Sequence, residues 1–147
     1  MKIVTRQVTT FRPTRVRLFA GLVAGFLLAA FILVAVFLKD SDTGVHFQTS
    51  DQAAMVGIGL FLALAALWIT WPRVRADAEG IEVRNLLGTT RYPWTLIRQV
   101  SFPDGTWWAR LELPGDEYIP MLAIQAIDGE RAVAAMRELR RLHREGN

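Results

Sequence analysis

LFAGLVAGFLLAAFILVAVFL, residues 18–38, carries no charged or strongly polar side chain. Spanning a hydrocarbon core of about 30 Å takes about 20 helical residues, so this run suffices. A second run, AAMVGIGLFLALAALWITW at residues 53–71, is equally free of charge, and Pro72 closes it. Core helices of soluble domains keep a polar face, which neither run has. The first run is also longer than the roughly 7–15 apolar residues of a signal peptide and ends in Phe37-Leu38-Lys39-Asp40, without a small-x-small cleavage site. The reading is a permanent two-helix membrane hairpin: basic segment 1–17, first span 18–38, loop 39–51, second span 52–72, soluble domain 73–147.

Charge supplies a direction. The net charge is +3, but Lys2, Arg6, Arg12, Arg15 and Arg17 precede the first span with no acid among them. The loop is acidic, through Asp40, Asp42 and Asp51, and the region after Pro72 balances eleven arginines with eleven acids. The positive-inside rule then predicts a multi-pass plasma-membrane protein with both termini cytoplasmic and the loop external. The basic excess is a topology signal rather than a nucleic-acid footprint, so nucleic acid is not an expected partner. Arg12, Arg15, Arg17, Arg73 and Arg75 are expected to meet anionic lipid headgroups of the inner leaflet. Trp68 and Trp71 are expected in the headgroup zone. Gly21, Gly25 and Gly57 offer a small-residue ridge for helix packing, with Ala29, Ala53 and Gly59 as extensions. The alternative, that glycine and alanine are simply common in such helices, stays open.

After Pro72 turn signals recur every eight to twelve residues: Glu79-Gly80, Leu87-Gly88, Asp104-Gly105, Pro114-Gly115-Asp116 and Asp128-Gly129. Alternating β-branched and aromatic segments lie between them. This spacing predicts an antiparallel meander with strands at 73–77, 81–86, 89–93, 96–102, 107–113 and 117–124. Ile81, Val83 and Asn85 share one face of the second strand. Trp107, Ala109, Leu111 and Leu113 share one face of the fifth, alternating with Trp108, Arg110 and Glu112. Residues 2–11 are a candidate edge strand. Asp128 reads as the N-cap of a closing helix whose apolar stripe is Ala132, Val133, Met136, Leu139 and Leu142, ending near Glu145-Gly146.

The segments Ala76-Asp77-Ala78-Glu79-Gly80-Ile81 and Tyr92-Pro93-Trp94-Thr95-Leu96-Ile97 resemble the opening and the Tyr-Pro-Trp signature of bacterial PH-like domains. With two preceding spans, the chain is similar to actinobacterial PH domain-containing membrane proteins, the group that includes the low-molecular-weight antigen 6 family. That resemblance implies an α+β architecture: a transmembrane hairpin followed by a PH-like curved antiparallel barrel capped by a C-terminal helix, with Trp94 in the core. It implies binding or scaffolding rather than catalysis. Phosphoinositide-binding PH domains use basic residues on the first strands; here Arg73, Arg75, Arg84 and Arg91 alternate with Asp77, Glu79 and Glu82, and the domain has no lysine.

Catalytic chemistry has few candidates. There is no cysteine, hence no thiolate nucleophile or disulfide. No G-x-S-x-G, G-x-G-x-x-G or P-loop occurs. Ser101 falls in a predicted strand, His143 in an arginine-rich helix where solvation is expected, and His46 in the loop with only Asp42 or Asp51 for company. No catalytic, cofactor or metal residue, and no small-molecule substrate, is expected. Trp107 and Trp108 stand out instead. Adjacent strand residues point to opposite faces, so one indole should enter the core and the other should be exposed. The exposed one could cover a neighbour, touch the membrane or contact a protein. The expected role is a membrane-tethered interaction module, an accessory subunit of a larger membrane assembly such as a respiratory complex. Lipid binding at the membrane surface is the alternative.

Overall fold

A computed structural model describes residues 7–40, 44 and 47–147. Residues 2–6 of the candidate edge strand, and the possible pairing of His46 with Asp42, lie outside the described residues. The chain divides into two compact units. One is the helical hairpin Arg17–Thr70. The other joins the described residues up to Val16 with Trp71–Asn147.

In the hairpin, α1 (Thr14–Lys39) and α2 (Thr49–Trp68) are each long and apolar enough to cross a membrane. At 1.5 Å per residue they measure about 39 and 30 Å. Helix α1 begins four residues before the apolar run. Helix α2 ends at Trp68, so Trp71 is not helical. The Thr70 hydroxyl donates to the Leu67 carbonyl at 2.7 Å, and the residue ahead of Pro72 is disfavoured in helical conformation. At the start of α2, Asp51 accepts the Gln48 N–H at 2.9 Å. The buried positions are Ala20, Ala24 and Ala35 on α1, and Gly59 and Ala63 on α2. A Cβ at Gly59 would collide with Phe31, and the Gln52 amide donates to the Ala35 carbonyl at 3.4 Å. The expected ridge of Gly21, Gly25 and Gly57 is not the point of approach: a Cβ on any of them would meet nothing within 4 Å. Gly21 and Gly25 each follow a buried alanine by one residue, about 100° around the helix, and so face away.

The second unit has two antiparallel sheets and one helix. The first sheet runs β1-β2-β3-β4, formed by Thr9–Phe11, Arg73–Ala76, Gly80–Arg84 and Thr89–Pro93. The second runs β5-β6-β7, formed by Gln99–Ser101, Trp108–Glu112 and Tyr118–Gln125. Helix α3 is Glu130–Gly146. The sheets are not closed into a continuous barrel; the fold is PH-like. Thr9–Phe11 pairs with Val74–Ala76, so an edge strand does form, from the far side of the helical hairpin in sequence.

Alternation builds the core. Ile81 and Val83 are buried in β3, and Ala109 and Leu111 in β6, while Glu82, Arg84, Arg110 and Glu112 face outward with partial exposure. Asn85 ties the sheets together: its amide donates to Pro120 O at 2.8 Å and its Oδ1 accepts Leu122 N–H at 3.3 Å. Leu96 does not open a strand. Trp94–Leu96 forms one 3-10 turn instead, which drops Trp94 into the core. Its Nε1 donates to the Asp77 carbonyl at 2.8 Å. The C-terminal turn of α3 covers it so closely that a Cβ at Gly146 would collide with the indole.

Two expectations for α3 change. Val133 is about half exposed, and Ala135 takes its place in the buried stripe with Ala132, Met136, Leu139 and Leu142. Asp128 does not cap α3. Gly129 occupies the N-cap with φ 57° and ψ −121°, a region open essentially only to glycine. Asp128, in the 3-10 turn before it, caps a different helix: its Oδ1 accepts the Arg15 N–H in the first turn of α1 at 2.9 Å.

Candidate interaction surface

The β5–β6 connection places the two adjacent tryptophans. Thr106 closes its turn by donating its N–H and hydroxyl to Pro103 O, and the hydroxyl also lies 3.2 Å from Trp108 O. Strand β6 begins only at Trp108, and its register with β7 shifts between Trp108 and Ala109. Trp107 therefore lies outside the regular pleat, and alternation does not apply to it. Neither indole enters the core: Trp107 is 73% exposed and Trp108 39%. This corrects the expectation of one inward and one outward ring.

Backbone pairing sets Trp107 beside the start of α3, since its carbonyl accepts the Ala126 N–H at 2.9 Å. There, Phe102, Ala126, Val133 and Met136 line a groove of about 410 Å³. Ile127 and Val133, both about half exposed, extend the apolar area. Arg137 and Arg140 edge it; Arg140 Nε donates to Val100 O at 3.2 Å. Ile127, Val133 and Phe102 escape sequence reasoning because helix periodicity assigns Val133 to the core and the β7–α3 connection reads as a bare turn signal.

The residues expected at the membrane surface separate by role. Arg12 and Arg17 are exposed. Arg15 is exposed too, but its guanidinium lies against its own domain, donating to Ile127 O at 3.0 Å. Arg73 lies 3.8 Å from Glu82, and burial, then the neighbouring Arg75 and Arg84, hold its guanidinium below the usual arginine range. Arg75 is half buried. Trp68 and Trp71 are both exposed, and the Arg84 guanidinium stacks 4.0 Å above the Trp71 ring. Beside Arg84, the β3–β4 turn closes through Asn85 N–H to Gly88 O and carries Leu87 at its tip, 98% exposed.

The polar groups with catalytic potential are occupied structurally. Ser101 is buried and donates its hydroxyl to Glu112 Oε1 at 2.7 Å. His143 is not simply solvated: Nε2 lies 2.7 Å from Ile97 O, which it reaches as donor, and the ring stands edge-on to Trp94 at 5.7 Å between centroids. Asp77 accepts the Glu79 and Gly80 N–H groups and both Oδ atoms meet Arg91 Nη2 at 2.8 Å. Burial opposes its ionisation, but the Arg91 and backbone hydrogen bonds outweigh it and hold the carboxyl below the usual range. Asp116 and Glu117 are exposed at the β6–β7 turn, where Gly115 and Asp116 both have positive φ.

A family model described as a bacterial PH domain matches residues 71–142. Two curated relatives, one uncharacterized protein from Mycobacterium tuberculosis and one from Mycobacterium bovis, are each 47% identical over 131 residues, covering 89% of this chain and 85% of their own. No solved structure matches the chain.

Proposed function

The chain belongs to the bacterial PH domain family, and from this premise we propose that it is a non-catalytic, membrane-anchored interaction module that binds another membrane protein. The observation that carries the reading is the joint exposure of Trp107 and Trp108 beside the apolar groove at the start of α3. Tryptophan is the residue most enriched among energetically dominant interface positions, and exposed apolar patches rimmed by charge mark contact surfaces. Arg137 and Arg140 at the groove edge favour a partner segment with an apolar face and acidic flanks.

In this reading the hairpin spans the plasma membrane with both chain ends in the cytoplasm. The basic flank before α1 supports that orientation. The pairing of β1 with β2 supports it too, because it brings the chain back to where it left. Leu87, with Arg84 stacked on Trp71, suits contact with the bilayer surface. Anionic headgroups there would serve anchoring, and the partner would be engaged through the tryptophan face. We infer an accessory-subunit role in a larger membrane complex, supported by the exposed tryptophans beside the apolar groove.

The test places a photo-crosslinking residue at Ile127 in the full chain, expressed in its native membrane. One discrete adduct is expected, mapping by mass spectrometry to an acidic, apolar-faced segment of another membrane protein. It should be lost in W107A/W108A. Adducts confined to lipid, or unchanged in the double variant, would overturn the reading.

A further inference from the structure

The groove beside the two tryptophans lies along α3 where that helix passes β5, the edge strand of the second sheet. The two elements run in opposite directions. His143, late in α3, reaches Ile97 O at 2.7 Å, Arg140 reaches Val100 O at 3.2 Å, and Phe102 lines the groove with Val133 and Met136. A peptide that adds as a strand bonds to the open main-chain groups of a sheet edge. Here the carbonyl of Val100, the central residue of β5, and that of Ile97 just before it are taken by side chains of α3. Strand addition would have to displace both. What remains is a side-chain surface, and a helix, whose main chain is satisfied internally, docks on such a surface.

Helix α3 sorts its charges by face. Glu138, Arg141 and Glu145 satisfy one another, with Arg141 2.6 Å from Glu138 and 2.7 Å from Glu145. Val133, Arg137, Arg140 and Arg144 form another stripe; at about 100° per residue they fall within about 60° of one another. The first three line the groove. Among the described residues, none of these three arginines has a carboxylate within ion-pair distance. Arg140 spends its Nε on a carbonyl, which leaves its charge uncompensated, and Arg137 and Arg144 are exposed. The nearby acids belong to the other end: Glu130 opens α3, and Asp104 lies in the connection between Phe102 and Trp107. The surface is therefore apolar at the start of α3 and basic along its C-terminal half.

On the reading of this face as the partner-binding surface, we propose that its occupant is an amphipathic helix of the partner lying along α3. Its apolar residues fill the groove against Phe102, Val133 and Met136, and its carboxylates, three or four residues apart, stand opposite Arg137, Arg140 and Arg144. Val133 to Arg144 rises about 16 Å, so about three turns of partner helix cover the stripe. A second copy of this chain offers no such helix among the described residues: α1 and α2 are apolar and α3 is rich in arginine.

The test uses the full chain in its native membrane, with a photo-crosslinking residue at Val133 or at Arg144, and at Ile127 for reference. The 16 Å between the first two probes is a ruler, because a helix rises about 1.5 Å per residue and a strand about 3.3 Å. Adducts about eleven residues apart in one partner segment, with Asp or Glu between them, are expected; an extended segment would place them about five apart. With the probe at Val133, R137E and R144E should each cut the adduct yield about tenfold, since each turns an attraction into a repulsion. R131E makes the same charge change on the far side of α3 and should leave the yield unchanged. All three arginines are exposed, so the swaps spare the core. A spacing of about five, yields unmoved by R137E and R144E, equal losses in R131E, or adducts confined to lipid or to a second copy of this chain would overturn the helix. A partner adduct from Ile127 with none from Val133 or Arg144 would sink the helix and leave the interaction face standing. No protein adduct from any of the three positions would sink both.

Discussion

Replacing Asp77 by alanine removes one carboxylate that holds the β2–β3 turn from three sides. Its Oδ1 accepts Glu79 N–H at 3.0 Å and Gly80 N–H at 3.1 Å, and both oxygens meet Arg91 at 2.8 Å. The arginine side chain is 45% exposed, so the ion pair itself contributes little. The larger cost is the two backbone donors, one of them buried, left without an acceptor; at about 1–3 kcal/mol each, Asp77→Ala should cost about 3 kcal/mol. For a domain of this size that is a fall in Tm of about 12–24 °C. Asp77→Asn keeps an acceptor for both N–H groups and should cost about 1 kcal/mol, a fall of about 4–8 °C. The assay is thermal unfolding of the full chain in detergent, followed by tryptophan fluorescence; Trp94 reports directly, since its Nε1 donates to the Asp77 carbonyl. The pH dependence adds a second readout. The folded carboxyl ionises below its ordinary value, so the folded state binds fewer protons than the unfolded one. Its contribution is fully present above the unfolded value of about 3.9 and is lost as pH falls through the lower folded value. Asp77→Asn should remove that acid-side loss. A Tm for Asp77→Ala within 3 °C of the unmodified chain, or an acid limb unchanged in Asp77→Asn, would refute the reasoning.

Asp128→Ala should speed amide exchange at Arg15 and its neighbours in the first turn of α1, with a cost of about 1 kcal/mol. If exchange rises instead in the first turn of α3, Asp128 caps that helix after all. Gly59→Val should lower the thermal midpoint of the full chain in detergent, because its side chain would meet Phe31, whereas Gly25→Val and Gly57→Val should not. Equal effects at all three positions would mean that helix propensity, not close approach, governs the hairpin.

Much of this protein is legible in its residue order because the responsible forces are local or periodic. A charge-free run of sufficient length gives a helix long and apolar enough to cross a membrane, as α1 and α2 are. Alternation in β3 and β6 puts Ile81, Val83, Ala109 and Leu111 inside because the pleat has a period of two. The tyrosine-proline-tryptophan segment marked Trp94 as core, and it is buried. Other features depend on groups distant in the chain. Asp128 has a good capping sequence, yet its carboxylate serves a backbone donor 113 residues away. Gly21 and Gly25 match a packing pattern, but a rotation of about 100° assigns the close approach to Gly59, and only helix phase against a neighbour settles that. Trp107 escapes the two-residue period because β6 begins only at Trp108 and its register with β7 shifts between Trp108 and Ala109. The sequence by itself determined which segments suit lipid, which pair as strands and which residues fill the core, because those follow from hydropathy and period. Tertiary structure alone decided which polar groups share a site, because that depends on long-range pairing no local pattern encodes.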